Sequence, residues 1–164
     1  MCGIAGIFGQ RSSNDLLVVQ VKKMTQTLSH RGPDDSGFWV NKDYTLALGH
    51  RRLSVLDLSK AGHQPMESSC GRFVMTFNGE IYNHLNIRRE LELKHGRLLW
   101  RGSSDTETVI EGFSKWGIDE TLERMVGMFA LAVWDKSKER LYLSRDRIGE
   151  KPLYFGWSNG NFVF

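Results

Sequence analysis

The sequence predicts an α+β fold, with largely antiparallel sheets and helices packed outside them, on two observations. Apolar, strand-like segments dominate both ends of the chain, and two or three amphipathic helical stretches fill its middle. No repeat or low-complexity tract interrupts this order. At 164 residues the chain is one domain long. Its 40% apolar and 25% charged residues are an ordinary globular composition, able to bury a core.

After Met1 and Cys2, the stretch Gly3-Ile4-Ala5-Gly6-Ile7-Phe8-Gly9 alternates small and large apolar residues. That is the pattern of a buried strand whose glycines admit neighbouring backbone. Ser12, Ser13, Asn14 and Asp15 offer caps for a helix. Leu17, Val21, Met24 and Leu28 then recur at helical spacing as far as Ser29. Gly32-Pro33 and the pair Asp34-Asp35 mark residues 30–37 as a turn-rich loop. Residues 38–40 and 45–49 follow as two short strands, and a loop over 61–66 leads to a strand over 72–77.

Asn83 or His84 caps a helix through Ile87, Leu91 and Leu93 that ends near Gly96, and Leu98-Leu99-Trp100 is a short strand. Ser104 and Glu107 stand in capping-box spacing at the head of the next helix. Residues 128–135 and 139–146 form a hairpin around Lys136-Ser137-Lys138. A last strand pair turns at Asn159-Gly160.

Cys2 stands directly behind the initiator methionine, and a small second residue favours removal of Met1. The mature chain then begins with a thiol and a free α-amine on one residue. The thiolate is the reactive form of cysteine, and an N-terminal amine can activate an adjacent nucleophile. With a reference pKa of about 7.7–8.0, much of that amine is neutral near physiological pH. On its own, however, a cysteine at position 2 is also an ordinary small hydrophobe.

Three further places carry chemistry. In His50-Arg51-Arg52-Leu53-Ser54-Val55-Leu56-Asp57 an arginine falls among apolar positions, where its fork suits a carboxylate. Arg52 is taken as the inward one; one of Arg51 and Arg52 is expected to point to solvent, and pattern alone leaves the choice open. Asn78-Gly79 admits two readings: the turn of a hairpin, or an amide and a glycine N–H aimed at one oxyanion. Asp105 is a first-turn acid that complements the helix dipole, or receives an ammonium group.

Composition excludes several classes. The net charge is +3, and Arg51-Arg52 and Arg88-Arg89 are isolated pairs, so no nucleic-acid surface is expected. No apolar run approaches the roughly 20 residues of a membrane span, and the sequence contains no n-region or h-region of a signal peptide, so a cytoplasmic location is expected. Cys2 and Cys70 are the only cysteines and the five histidines are dispersed, which leaves neither a disulfide framework nor a metal site. Asn161-Phe162-Val163-Phe164 is apolar and strand-like, so the chain is expected to be a fragment of a longer protein.

Taken together these segments resemble a known family. The landmarks are the Met-Cys-Gly-Ile start, His30-Arg31-Gly32-Pro33-Asp34, Arg52-Leu53-Ser54 and Phe77-Asn78-Gly79-Glu80-Ile81-Tyr82-Asn83. Ser104-Asp105, Gly127-Met128-Phe129-Ala130 and Arg145-Asp146 with Gly149 and Pro152-Leu153-Tyr154 complete them. In this order they resemble the class II glutamine amidotransferase domain, an N-terminal-nucleophile hydrolase. Essentially all 164 residues take part, and the likeness is closest to the N-terminal domain of glutamine-hydrolysing asparagine synthetase.

The resemblance implies a four-layer αββα sandwich of two mainly antiparallel sheets, with the site between them. It implies that Cys2 attacks the amide carbon of L-glutamine and forms a γ-glutamyl thioester, with Asn78 and Gly79 holding the oxyanion. Arg52 would bind the α-carboxylate. Asp105, with backbone around Glu80, would hold the α-ammonium, and Leu53, Ser54, Val55 and Leu56 would line the pocket. The ammonia would pass to a C-terminal synthetase domain that uses ATP and Mg²⁺ to amidate aspartate; the fragment itself would need no cofactor. The full-length protein has room to be a homodimer. Arg51-Arg52-Leu53, in place of the Thr-Arg-Trp or Thr-Arg-Tyr usual in sugar-phosphate and phosphoribosyl amidotransferases, favours the asparagine-synthetase branch. Other acceptors, such as cell-surface sugars or other carboxylates, and a catalytically silent module of the same fold, remain alternatives.

Overall fold

The computed structural model describes residues 2–54 and 59–164 of the chain. Nine strands and four helices are found among them. They run β1 (Gly3–Phe8), α1 (Asn14–Thr27), β2 (Asp35–Val40), β3 (Leu46–Arg52), β4 (Met66–Glu67), β5 (Phe73–Ile81), α2 (His84–His95), α3 (Asp105–Lys115), α4 (Ile118–Arg124), β6 (Gly127–Asp135), β7 (Arg140–Arg145), β8 (Gly156–Ser158) and β9 (Asn161–Val163).

The strands form two sheets, ordered β2-β3-β1-β9-β8 and β4-β5-β6-β7, and every pairing is antiparallel. Helix α1 covers the outer face of the first sheet through Leu17 and Val21, against Ile7 and Ala47. On the outer face of the second, Phe73, Met75 and Phe77 of β5 with Phe129, Leu131 and Val133 of β6 pack on Ile87, Leu91, Val109, Ile110 and Phe113 of α2 and α3. The inner faces meet through Leu46 and Leu48 of β3, Val74 of β5, and Ala132 and Trp134 of β6. The layers are therefore helix, sheet, sheet, helices, as expected. With both faces covered, β5 and β6 are apolar almost throughout.

Local signals are read faithfully where nothing distant competes. Ser13 caps α1 by accepting from the Leu16 amide, and Ser104 caps α3 by accepting from the Glu107 amide. Asn159 and Gly160 adopt φ of 50° and 77°, the left-handed pair that a two-residue hairpin requires.

Elsewhere longer-range pairing prevails. Asn78-Gly79 is no turn: β5 runs straight through it, pairing with β6 from Phe73 opposite Asp135 to Ile81 opposite Gly127. Nine consecutive residue pairs outweigh the local turn preference. Strand β2 begins at Asp35, inside the expected loop, because Asp35, Ser36 and Gly37 pair with Arg52, Arg51 and His50. The expected strand at Leu98-Leu99-Trp100 does not form. Trp100 instead packs its ring under Arg88, 4.1 Å away, and donates to Glu92 of α2.

Leu93, expected inside, is exposed. Asn83 stands at the head of α2 without a side-chain cap bond, its carboxamide joining Arg124 O and Val126 N instead. Helix α4, which no sequence signal separates from α3, follows its N-cap Gly117 (φ 90°) and sets Ile118 and Leu122 against the core.

Candidate active site

The chain start is held by the loop that follows α1. Arg31 Nε donates to the Cys2 carbonyl at 3.1 Å, Arg51 Nε to the Gly32 carbonyl at 3.0 Å, and the Asp34 amide to the Arg52 carbonyl at 3.0 Å. Cys2 thus lies beside the end of β3, where the Leu53 N–H donates to its sulfur at 3.4 Å. Arg52 faces inward, as expected, and is 8% exposed, its Nη1 donating to the Ser59 carbonyl at 2.8 Å. Gly62 lies against this guanidinium, and any Cβ there would overlap it.

Opposite Cys2 lies strand β5. Its odd-numbered side chains enter the helix-side core, so Val74, Thr76 and Asn78 face the first sheet. Asn78 is buried and borders the hollow beside Cys2.

The odd residues have backbone groups that point away from β6, toward the edge occupied by β4. That edge is unfinished, because β4 pairs only through Met66 and Glu67. Continuing the register would set Gln64 opposite Phe77. Instead the Gln64 side chain accepts from the Phe77 amide at 2.7 Å, and Asp105 Oδ2 accepts from the Ile81 amide at 2.9 Å. The Gly79 N–H, between them, points the same way by the two-residue repeat of the strand. A Cβ on Gly79 would stand 2.7 Å from Phe129 Cα and closer still to Met128 O, so only glycine fits.

Asp105 is supplied by the first turn of α3. The turn is set by Glu107, which reaches back past the cap to accept from the Arg101 and Gly102 amides at 2.7 and 3.0 Å. The second half of the expected capping box is thus replaced by a brace on the preceding loop. The Asp105 carboxylate accepts from Ile81 and Thr106 and is 5% exposed. Burial raises its pKa above the usual carboxylate range, although both amide bonds oppose the rise.

On the far side, Asp146 accepts from the Phe129, Glu150 and Lys151 amides and brings Lys151 to the same hollow. Burial alone would raise the Asp146 pKa, but the converging amides hold it low.

These groups enclose one cavity of about 160 Å³. Cys2, Arg52, Leu53, Asn78, Gly79, Glu80 and Asp105 line it together, from segments far apart in sequence. Ser54 borders a neighbouring hollow instead, its amide donating to Asp34 at 2.8 Å. Val55 and Leu56 lie outside the described residues, as does Met1.

The structure adds lining residues that the sequence reading passed over: Gly62, Gln64, Thr106, Met128 and Lys151. Gly62 and Gln64 come from a stretch whose sequence signals only a loop, and Lys151 carries no signal of its own between Gly149 and Pro152. The wall carries two cations, Arg52 and Lys151, and two carboxylates, Glu80 and Asp105, a charge pattern suited to a zwitterion. Among the described residues no group of three or more His, Cys, Asp or Glu side chains could hold a metal ion, and no helix is long and apolar enough to cross a membrane.

Comparison with known proteins identifies the family and the fold. A family profile described as "Glutamine amidotransferase domain" matches residues 1–164. The chain is 36% identical over 180 aligned positions to a putative asparagine synthetase (glutamine-hydrolyzing) 2 of Methanocaldococcus jannaschii, covering 100% of this chain and 33% of that protein. It is 34% identical over 166 positions to asparagine synthetase (glutamine-hydrolyzing) 3 of Bacillus subtilis, covering 100% of this chain and 26% of that protein. The chain therefore spans a third or less of the length of these relatives.

Among solved structures, glutamine phosphoribosylpyrophosphate amidotransferase from B. subtilis, complexed with ADP and GMP, shares the fold. Its TM-score is 0.79 at 18% identity, over 99% of this chain and 41% of that one. By the match along its whole length, the chain belongs to the glutamine amidotransferase domain family.

Proposed function

We propose that this chain hydrolyses L-glutamine to glutamate and ammonia, with Cys2 as the nucleophile once Met1 has been removed. The observation that carries the reading is that Cys2, Arg52, Asn78, Gly79 and Asp105 line one cavity. In this proposal Arg52 takes the α-carboxylate of glutamine and Asp105 its α-ammonium, which leaves the side-chain amide to reach Cys2. The sulfur attacks the amide carbon, and the thiol proton passes to the Cys2 α-amine. The Asn78 carboxamide and the Gly79 N–H receive the oxyanion, the function in which one donor typically contributes about 2.7–4 kcal/mol. As the C–N bond breaks, the ammonium formed on Cys2 returns the proton to the departing nitrogen, which leaves as ammonia. Water then cleaves the γ-glutamyl thioester, releasing glutamate and regenerating the thiol.

The ammonia acceptor is read as aspartate, activated in a synthetase region that this chain does not include, because the relatives are named asparagine synthetases. ATP and Mg²⁺ are assigned to that region, and no step in this chain depends on them.

The test is intact-mass analysis after exposure of the matured chain to 6-diazo-5-oxo-L-norleucine, followed by peptide mapping. One adduct on Cys2, loss of glutaminase activity in Cys2→Ala and its retention in Cys70→Ser are expected. Activity surviving in Cys2→Ala would refute the reading.

A further inference from the structure

One buried ionisable side chain has no place in the chemistry proposed above. His50 lies on β3, 1% exposed, in the inward row of Leu46, Leu48 and Arg52. Its Nε2 stands 3.1 Å from the Phe77 carbonyl oxygen on the other sheet. A carbonyl oxygen only accepts, so Nε2 carries the hydrogen. Nδ1 has no hydrogen-bond partner among the described residues. Burial brings the imidazole pKa down to about 4, against the smaller opposing effect of the Phe77 bond, so the ring is neutral near pH 7.

For packing alone this is a poor choice. A leucine would extend the row of Leu46 and Leu48 with no stranded nitrogen, and an unsatisfied buried acceptor is destabilising. What the imidazole gains is a bond to one particular peptide group. The Phe77 carbonyl belongs to the peptide that leads into Asn78, and Gly79 follows directly. Gln64 holds the same residue by its amide, at 2.7 Å. Two side chains from other segments therefore grip both backbone groups of Phe77, at the place where a strand partner is missing.

We propose that His50 is a positioning residue: by holding the Phe77 carbonyl it fixes the peptide plane from which the Asn78 carboxamide and the Gly79 N–H are aimed into the cavity. The catalytic consequence rests on the glutaminase reading; the geometric one does not. Donors aimed at a developing oxyanion act in the transition state, so their misalignment lowers kcat and leaves KM nearly unchanged.

The experiment compares His50→Leu, which removes the donor at similar volume, with His50→Gln, whose amide can reach the same carbonyl. His50→Met is the donor-free substitute should His50→Leu fail to fold. In the matured protein the donor-free variant should lose about tenfold to a hundredfold in kcat with KM for glutamine within about twofold, and His50→Gln should recover most of the loss. Proton–nitrogen spectra of the same proteins should show the Gly79 amide and the Asn78 side-chain amide displaced in the donor-free variant and near their wild-type positions in His50→Gln.

Unmoved Asn78 and Gly79 signals overturn the proposal. So does an equal loss of kcat in the donor-free and Gln variants, or a raised KM with kcat intact. A wild-type chain that hydrolyses no glutamine removes the functional reading alone, and the spectra then decide the positioning role by themselves.

Discussion

Lowering the pH from 7.5 to 4.5 should weaken the fold through His50 by an amount that can be worked out. In the folded chain the ring titrates near 4, and in the unfolded chain near its ordinary value of about 6.5. On acidification the unfolded state takes up the proton first. The contribution is therefore complete above pH 6.5 and is lost as the pH falls toward 4. Integrating the difference in proton uptake between pH 7.5 and 4.5 gives a loss of about 2–3 kcal/mol for this one group. Carboxylates titrate over the same range, but they cancel when the wild type is compared with His50→Gln, which has nothing to protonate at that position. Urea unfolding of both proteins at half-unit pH steps reads the effect directly. The stability difference between wild type and variant should shift by about 2–3 kcal/mol against the wild type between pH 7.5 and 4.5. Parallel curves would show that the imidazole is protonated in the folded state or open to solvent, and would refute the reasoning.

Three further outcomes are expected. Asn78→Ala should lower kcat for glutamine hydrolysis by about 10²–10³ with little change in KM, measured by steady-state glutamate release. Asp105→Asn removes a charge and one of two acceptor oxygens, so KM for glutamine should rise about tenfold to a hundredfold. In the wild type, KM should climb on acidification through a pKa above the usual carboxylate range, because burial raises Asp105 and only its ionised form pairs with an ammonium group. Gly62→Ala forces the Arg52 guanidinium aside, so glutamine should bind about tenfold more weakly while Cys2 keeps its reactivity toward a small alkylating agent that makes no use of Arg52.

How much of this was legible in the sequence depended on the distance over which each residue is determined. The Ser13 and Ser104 caps, the Asn159-Gly160 turn and the buried first strand are set within a few residues, and each was readable. Arg52 could be singled out because a charge among apolar positions demands a partner wherever it lies. Asn78-Gly79 shows the opposite case. Its local chemistry favours a turn, and only the ladder with β6, contributed some fifty residues later in the chain, draws it out straight. His50, Gln64 and Lys151 carry no local mark at all; their place at or behind the cavity follows from the facing of two sheets and the anchoring of a loop by Asp146. Helix α4 escaped notice because at seven residues it is too short for a periodic pattern.

The unfinished edge of β5 has a consequence for how the domain tolerates change. Unpaired strand edges on protein surfaces invite unwanted association, and natural proteins blunt or cover them. Here the vacancy is turned inward, between Gln64 and Asp105, and what is missing from the sheet becomes what is offered to a ligand. A longer β4 would fill it: four more paired residues, back to Gly62 opposite Gly79, would add ladder hydrogen bonds, raise the melting temperature and seal the hollow. Selection for stability alone would therefore drive this chain toward an inert sandwich. The short fourth strand is best understood as stability forgone to keep an opening in the sheet.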